Sequence, residues 1–240
     1  MKTTKITDKM TINAAGSSIV LDGFDFTENG FLEVLDADSI VVRNCRIYGL
    51  NVEAAAKNYW FHASSSSPIK VTIENCFFGN NPGIAGTLYN LIEPHIVMED
   101  GSGICRNYFN ADCCTHNAIN IYGVHENACI SIRDNVFEVS AGTVRIGVKG
   151  EPVCEIDVSR NIVIANNPNY SEADAGIVTI QPYGTQTSTF ANMTVRMDNN
   201  KCPSEQLIYG YSGEKDTVLT SENMPTILIN GESVNAPIYH

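Results

Sequence analysis

Apolar and polar positions alternate along this chain in short bursts, and the bursts repeat. The clearest is IVVRNCRI, Ile40 to Ile47, where alternating Ile40 and Val42 lead into a polar Asn44–Cys45 corner and then Ile47. The phrase returns as VTIENCFF (Val71 to Phe78), GICRNYF (Gly103 to Phe109), ISIRDNVF (Ile130 to Phe137) and IDVSRNIV (Ile156 to Val163). A looser copy, IVLDGFDF, runs from Ile19 to Phe26, and a degenerate one begins at Met193. Aligned on the second apolar residue, the anchors are Leu21, Val42, Ile73, Ile104, Ile132, Val158 and Val195, separated by 21, 31, 31, 28, 26 and 37 residues. Self-similarity at such a period signals an array in which each repeat buries its apolar face on the next.

Each anchor phrase is followed by a second run: FLEV (31 to 34), YWF (59 to 61), LYNLI (88 to 92), AINIY (118 to 122), TVRIGV (143 to 148), GIVTI (176 to 180) and QLIY (206 to 209). These runs are short, β-branched or aromatic, and bounded by turn formers, so they predict strands. Helical spacing is confined to NVEAAAKN, 51 to 58. Two residues before the anchors lie Ile19, Ile40, Val71, Ser102, Ile130, Ile156 and Met193; five after them lie Phe26, Ile47, Phe78, Phe109, Phe137 and Val163. Columns so uniformly apolar predict inward-facing ladders of parallel strands.

The column three after the anchor reads Phe24, Cys45, Cys76, Asn107, Asn135, Asn161. Asparagine tolerates the left-handed backbone of a sharp corner, and stacked amides hydrogen-bond from repeat to repeat, so this column is expected at the turn. The column one after the anchor begins Asp22, Arg43, Glu74 and ends Ser159, Arg196, which predicts an outward ladder of exposed charge pairs. Cys45 and Cys76 share a column in neighbouring repeats, about 4.8 Å apart and within disulfide range, with reduced thiols the expectation.

The pattern resembles a right-handed parallel β-helix, the architecture of pectate lyases, polygalacturonases and many phage tailspike and virion proteins. The resemblance covers roughly residues 16 to 210. It implies an all-β fold, a single-stranded right-handed parallel β-helix of about seven coils with irregular terminal caps. Residues 1–211 would form the helix with its N-terminal cap, and 212–240 a C-terminal cap or arm.

Composition narrows the partners. The 240 residues carry a formal net charge of −12, which argues against nucleic acid, whose phosphates need clustered Lys and Arg. No apolar run approaches the roughly 20 residues needed to span a bilayer. The MKTTKITDKM start lacks the apolar stretch of a secretory signal, so a cytoplasmic site of synthesis and assembly is expected. The eight cysteines then read as buried thiols.

Catalytic signatures are sparse. The Asn-Thr-Asp, Asp-Asp and His-Gly motifs of polygalacturonases and the Arg-x-Pro-x-x-Arg of lyases do not occur, and no carboxylates share a column in consecutive repeats. Close acidic pairs at Asp36 and Asp38, Glu99 and Asp100, and Glu172 and Asp174 sit in turn-like stretches suited to solvation. Cys113, Cys114 and His116, with Cys105 upstream, lack the spacing of a structural zinc site. The histidines at 62, 95, 116, 125 and 240 are dispersed. No catalytic residue, metal or cofactor is expected.

The column four after the anchor turns from charged to apolar: Asp25, Arg46, Phe77, Tyr108, Val136, Ile162. If they face outward, Phe77, Tyr108, Val136 and Ile162 would form an interface stripe; the alternative is that a long inter-strand segment, such as 79 to 102, or the tail folds over them. The expected function is therefore a non-enzymatic structural protein of a virion, a phage capsid-decorating or tail-associated component. Its partners are other capsid or tail proteins and further copies of itself, a homotrimer by resemblance. The alternative is a small carbohydrate-active protein, a polysaccharide lyase or hydrolase or a glycan binder, with Tyr59 and Trp60 as the glycan contacts.

Overall fold

The computed structural model describes residues 3–48, 59–79, 88–94, 96–111, 114–139, 142–166, 176–182, 189–204, 206–211 and 218–239. The helical turn expected at 51 to 58 lies outside these residues, as do Glu172, Asp174, His95, His240, Cys113 and the side chains of Cys114 and His116. Among the described residues the fold is all-β, without helix.

In chain order the strands begin with β1 (Thr4–Ile6), β2 (Met10–Asp22), β3 (Phe24–Phe26), β4 (Leu32–Arg43), β5 (Arg46–Ile47), β6 (Phe61–Ala63), β7 (Lys70–Glu74) and β8 (Phe77–Gly79). The middle of the chain supplies β9 (Leu88–Pro94), β10 (Val97–Met98), β11 (Gly103–Cys105), β12 (Tyr108–Ala111), β13 (Cys114–Ile121), β14 (Gly123–Val124), β15 (Cys129–Arg133) and β16 (Val136–Val139). Then come β17 (Gly142–Ile146), β18 (Cys154–Ser159), β19 (Ile162–Asn166), β20 (Val178–Ile180), β21 (Met193–Met197), β22 (Ile208–Tyr211), β23 (Thr226–Ile229), β24 (Glu232–Val234) and β25 (Ile238–Tyr239).

These strands form parallel ladders that the chain visits in rotation. The first ladder runs β2, β4, β7, β11, β15, β18, β21, β23 and carries the anchor phrases. The second is a seven-stranded sheet in the order β1, β3, β5, β8, β12, β16, β19. The third carries the follow-on runs, from β4 through β6, β9, β13, β17, β20 and β22 to β25. The long strands β2 and β4 belong to the first and third ladders at once, joining both into one sixteen-stranded sheet. Neighbours in each ladder come from successive circuits of the chain, so β-strand pairing is almost entirely between residues distant in sequence.

The inward columns appear as expected. Phe26, Ile47, Phe78, Phe109, Phe137 and Val163 pair in register along the second ladder and are buried. Phe78 stacks on Phe109 at 4.5 Å between ring centroids, and Phe109 on Phe137 at 4.8 Å. That spacing matches the rise between strands, so the ladder itself dictates the ring stacking.

Two expectations are corrected. Val195 pairs with Ile156, so the anchor of that circuit is Met197 and its column-mate is Val158. Alternation cannot tell Val195 from Met197, because both face inward two residues apart. Secondly, the left-handed corner is taken two residues after the anchor, at Gly23, Asn44, Asn75, Arg106, Asp134, Arg160 and Asn199, with φ between 54° and 75°. The residue three after the anchor points into the core instead.

Its asparagines are selected by buried hydrogen bonds rather than by backbone strain. Asn107 Nδ2 donates to Ile73 O at 2.9 Å, Asn135 Nδ2 to Ile104 O at 2.8 Å and Asn161 Nδ2 to Ile132 O at 2.8 Å. Each carbonyl oxygen accepts the backbone N–H of the preceding circuit: Cys76 N to Asn107 at 2.9 Å, Asn107 N to Asn135 at 2.9 Å, Asn135 N to Asn161 at 3.0 Å. Asn200 extends the series, accepting from Asn161 N at 2.8 Å. Backbone groups at these inward corners thus find partners without water.

The C-terminal segment builds onto the ladders. Strand β23 adds to the first and β25 to the third, while β24 turns back through Asn230–Gly231 and pairs antiparallel with β23.

Replacing Asn135 by Ala leaves the Asn107 N–H and the Ile104 carbonyl buried without their partner, and should cost about 3–5 kcal/mol. Urea denaturation of the variant measures this; a loss below about 1 kcal/mol would show that the amide ladder is dispensable.

Candidate functional site

The outer face of the first ladder is closed electrostatically. Arg43 Nε donates to Asp22 at 2.8 Å, Arg160 Nε to Asp134 at 2.7 Å, and Arg196 Nε to Glu155 at 3.3 Å. Arg106 pairs with Glu74, and Arg133 with Asp157. The expected Asp22–Arg43 pair is present; Glu74 takes its arginine from the next circuit, Arg106, rather than from Arg43. Hydrogen bonds from Asn44 and then Arg43 hold the Asp22 carboxyl below its ordinary range, and Arg160 does the same for Asp134.

The outer face of the second ladder differs. Asp25, Arg46, Phe77, Tyr108, Val136 and Ile162 pair in register along it, as the column count predicted. At one end Arg46 donates to the buried Asp25 through Nε at 2.8 Å and Nη2 at 2.5 Å, a two-pronged pair. Next come aromatic rings. Phe77 lies 5.6 Å from Tyr48 and 5.5 Å from Tyr108, the latter edge-on. Gly79 makes room for them, since a Cβ there would stand 2.6 Å from both the Phe77 and Tyr48 rings. Tyr108 OH donates to Glu138 at 2.5 Å, and Asn110 Nδ2 reaches the same carboxylate oxygen at 3.0 Å. Phe77, Tyr108 and Val136 are consequently half-buried.

Within this face the apolar surface opens further along. Ile162 is 40% exposed and Ile164 55%. Ile164 is the extra residue of a bulge: Phe137 pairs with Val163 and Glu138 with Ala165, so Ile164 has no partner opposite. The column count missed it because a bulge breaks fixed register. The signal was in the sequence, in the unbroken apolar run Ile162-Val163-Ile164.

Beside this row, at the corner shared with the first ladder, runs an open groove of about 400 Å³. Phe77, Tyr108 and Val136 line it together with Arg46, Asn75 and Arg106, and Cys45 and Cys76 form part of its wall.

Other sequence candidates fall elsewhere. Trp60 is fully buried, edge-on to Phe26 at 5.1 Å and Phe78 at 5.5 Å, and is no glycan contact. Between those two phenylalanines the inward column carries the narrower Ile47, and the indole packs alongside. Tyr59 is half-buried and stacked on His62 at 4.5 Å. Asp36 is half-buried and Asp38 exposed. The Asp100 carboxylate caps the Cys129 N–H at 2.8 Å, and Glu99 lies 3.8 Å from His125. Among the described residues no three His, Cys, Asp or Glu side chains converge as a metal site. Burial pushes the Cys154 thiol up to about 12 and raises Cys105, Cys129 and Cys202 as well, which keeps these thiols protonated at neutral pH. A row on the third ladder was not foreseen: Asn120, Arg145, Thr179 and Tyr209 pair in succession, all polar and all buried. Thr179 Oγ1 donates to Tyr209 OH at 2.8 Å, while the Asn120 amide has no hydrogen bond.

Because hydrogen bonds hold the Asp22 and Asp134 carboxyls below their ordinary range in the folded chain, their contribution is present at neutral pH and is lost as pH falls through those lowered values. Thermal melts should therefore show the transition temperature dropping on acidification below the carboxylate range, less steeply for Asp134→Asn than for the wild type. Identical pH profiles would remove the Asp134–Arg160 pair from the account. No family model matches the chain, and neither a curated protein nor a solved structure does.

Proposed function

We propose that the chain is a right-handed parallel β-helix acting as a non-enzymatic structural component of a virus particle, a capsid-decorating or tail-associated protein. Rotation through three parallel ladders supports the β-helix, and parallel crossovers are almost always right-handed. The observation that carries the functional reading is the contrast between two outer faces. The first ladder neutralises its own charges, whereas the second presents the in-register row Phe77, Tyr108, Val136 and Ile162, widened by Ile164. Such a row on an open sheet face fits attachment to a partner surface, either another copy or a shell or tail protein.

The protein should sediment with large particles in a lysate of its source, at a fixed stoichiometry read by mass spectrometry. Ile162→Glu combined with Ile164→Glu should weaken that association at least about tenfold while leaving the thermal transition within a few degrees. A wild-type protein found only in the soluble fraction as a monomer would sink this reading.

One observation favours saccharide binding as a second reading. The groove at the corner pairs the half-exposed Phe77 and Tyr108 rings with Arg46, Arg106 and Asn75, a combination of apolar platform and hydrogen-bond donors suited to a sugar. On this reading Phe77→Ala should abolish signals on a glycan array, and an array blank for the wild type would dispose of it.

A further inference from the structure

We propose that Cys45 and Cys76 are a modification site, a thiol pair that a low-molecular-weight disulfide oxidises to a covalent link between two successive circuits. The register fixes their approach. Arg43 pairs with Glu74 before them and Arg46 with Phe77 after them, so Cys45 and Cys76 stand directly opposite on adjacent parallel segments. That places their α-carbons about 4.8 Å apart, inside the range a disulfide spans. Both side chains point inward, 1% and 3% exposed, and both are free thiols.

These residues occupy the column that asparagine fills from Asn107 onward. In place of the amide's strong bond to the preceding anchor, Cys45 Sγ lies 3.8 Å from Leu21 O and Cys76 Sγ 3.7 Å from Val42 O. Each thiol stands nearer a carbonyl of its own circuit, Arg43 O at 3.2 Å and Glu74 O at 3.3 Å. The amide ladder is therefore interrupted here, and a disulfide would tie together the circuits that lack it. Both cysteines belong to the wall of the groove, and a local opening of this corner brings their buried thiols to it. A hydrogen bond between the thiols favours ionisation of Cys45, and the same bond together with burial holds the proton on Cys76. The two thiols stand side by side, so once Cys45 has reacted Cys76 can resolve it.

With oxidised glutathione as the oxidant, the Cys45 thiolate attacks one glutathione sulfur and expels a glutathione thiolate, leaving a mixed disulfide on Cys45. Cys76 then gives up its proton and attacks the Cys45 sulfur, expelling the second glutathione. Two protein thiols are oxidised to one disulfide, and one glutathione disulfide is reduced to two thiols, which carry away both protons.

The test is incubation of the purified full-length protein with oxidised glutathione, then unfolding in iodoacetamide and peptide mapping without reductant. The expected result is a Cys45–Cys76 linked peptide from monomeric protein, reversed by dithiothreitol, with a thermal transition raised by about 10 °C. Cys45→Ser and Cys76→Ser should each abolish the linked peptide. The proposal fails if both residues emerge alkylated, if glutathione stays on Cys45 with Cys76 free, or if either links to a different cysteine. Direct mapping of the wild type keeps these outcomes readable even if a serine variant folds poorly.

Discussion

The constraint on which this fold depends is the satisfaction of backbone groups at an inward corner. A chain that turns from one sheet into the next exposes N–H and C=O groups to an apolar interior, where leaving one unpaired costs about 1–3 kcal/mol. The buried amides of Asn107, Asn135 and Asn161, with the half-buried Asn200, meet that demand by donating to the anchor carbonyl of the circuit before and accepting its corner N–H. Because each amide bridges neighbouring circuits, displacement of one circuit by a single residue would unpair the amide bonds it makes on either side. Register is thereby locked along the core, and the stacked Phe78, Phe109 and Phe137 rings gain their alignment from it.

Much of this was legible in the sequence because period-two alternation and a repeat of about 30 residues overdetermine which positions face inward. The anchors from Leu21 to Val158 and the phenylalanine column fell into register without adjustment. What failed was information that alternation does not hold. Val195 and Met197 are equivalent by pattern and are separated only by the Asn200 corner that follows. The left-handed residue was misplaced by one, because Arg106 and Arg160 carry no compositional mark of a turn. Trp60 looked like a surface aromatic because the void beside Ile47 exists only once the ladders are assembled.

The site was legible to the same degree. Counting four past each anchor found the row from Asp25 to Ile162, because β-strand geometry alone decides that these residues share a face. It did not find that Tyr108 is tied down by Glu138, nor that the bulge at Ile164 moves the open apolar surface toward the later circuits. Both depend on pairing one circuit against another. The chemistry of the two outer faces diverges for a simple reason: charged residues on neighbouring circuits of the first ladder meet partners of opposite sign, whereas from Phe77 onward neighbours on the second repeat in hydrophobicity.

The antiparallel strand β24 has a consequence for assembly along the ladder direction. A protein made of parallel strands presents at each end an edge that another copy could extend, and unlimited extension yields a fibre. Here the turn at Asn230–Gly231 lays a reversed strand over the last anchor strand, so an incoming copy meets the wrong polarity on the first ladder at that end. At the opposite end β2 keeps its polarity and carries Lys9 and Asp22 at its margins. The first ladder is thus closed at the β24 end by chain direction, while the third ladder there ends in the parallel strand β25.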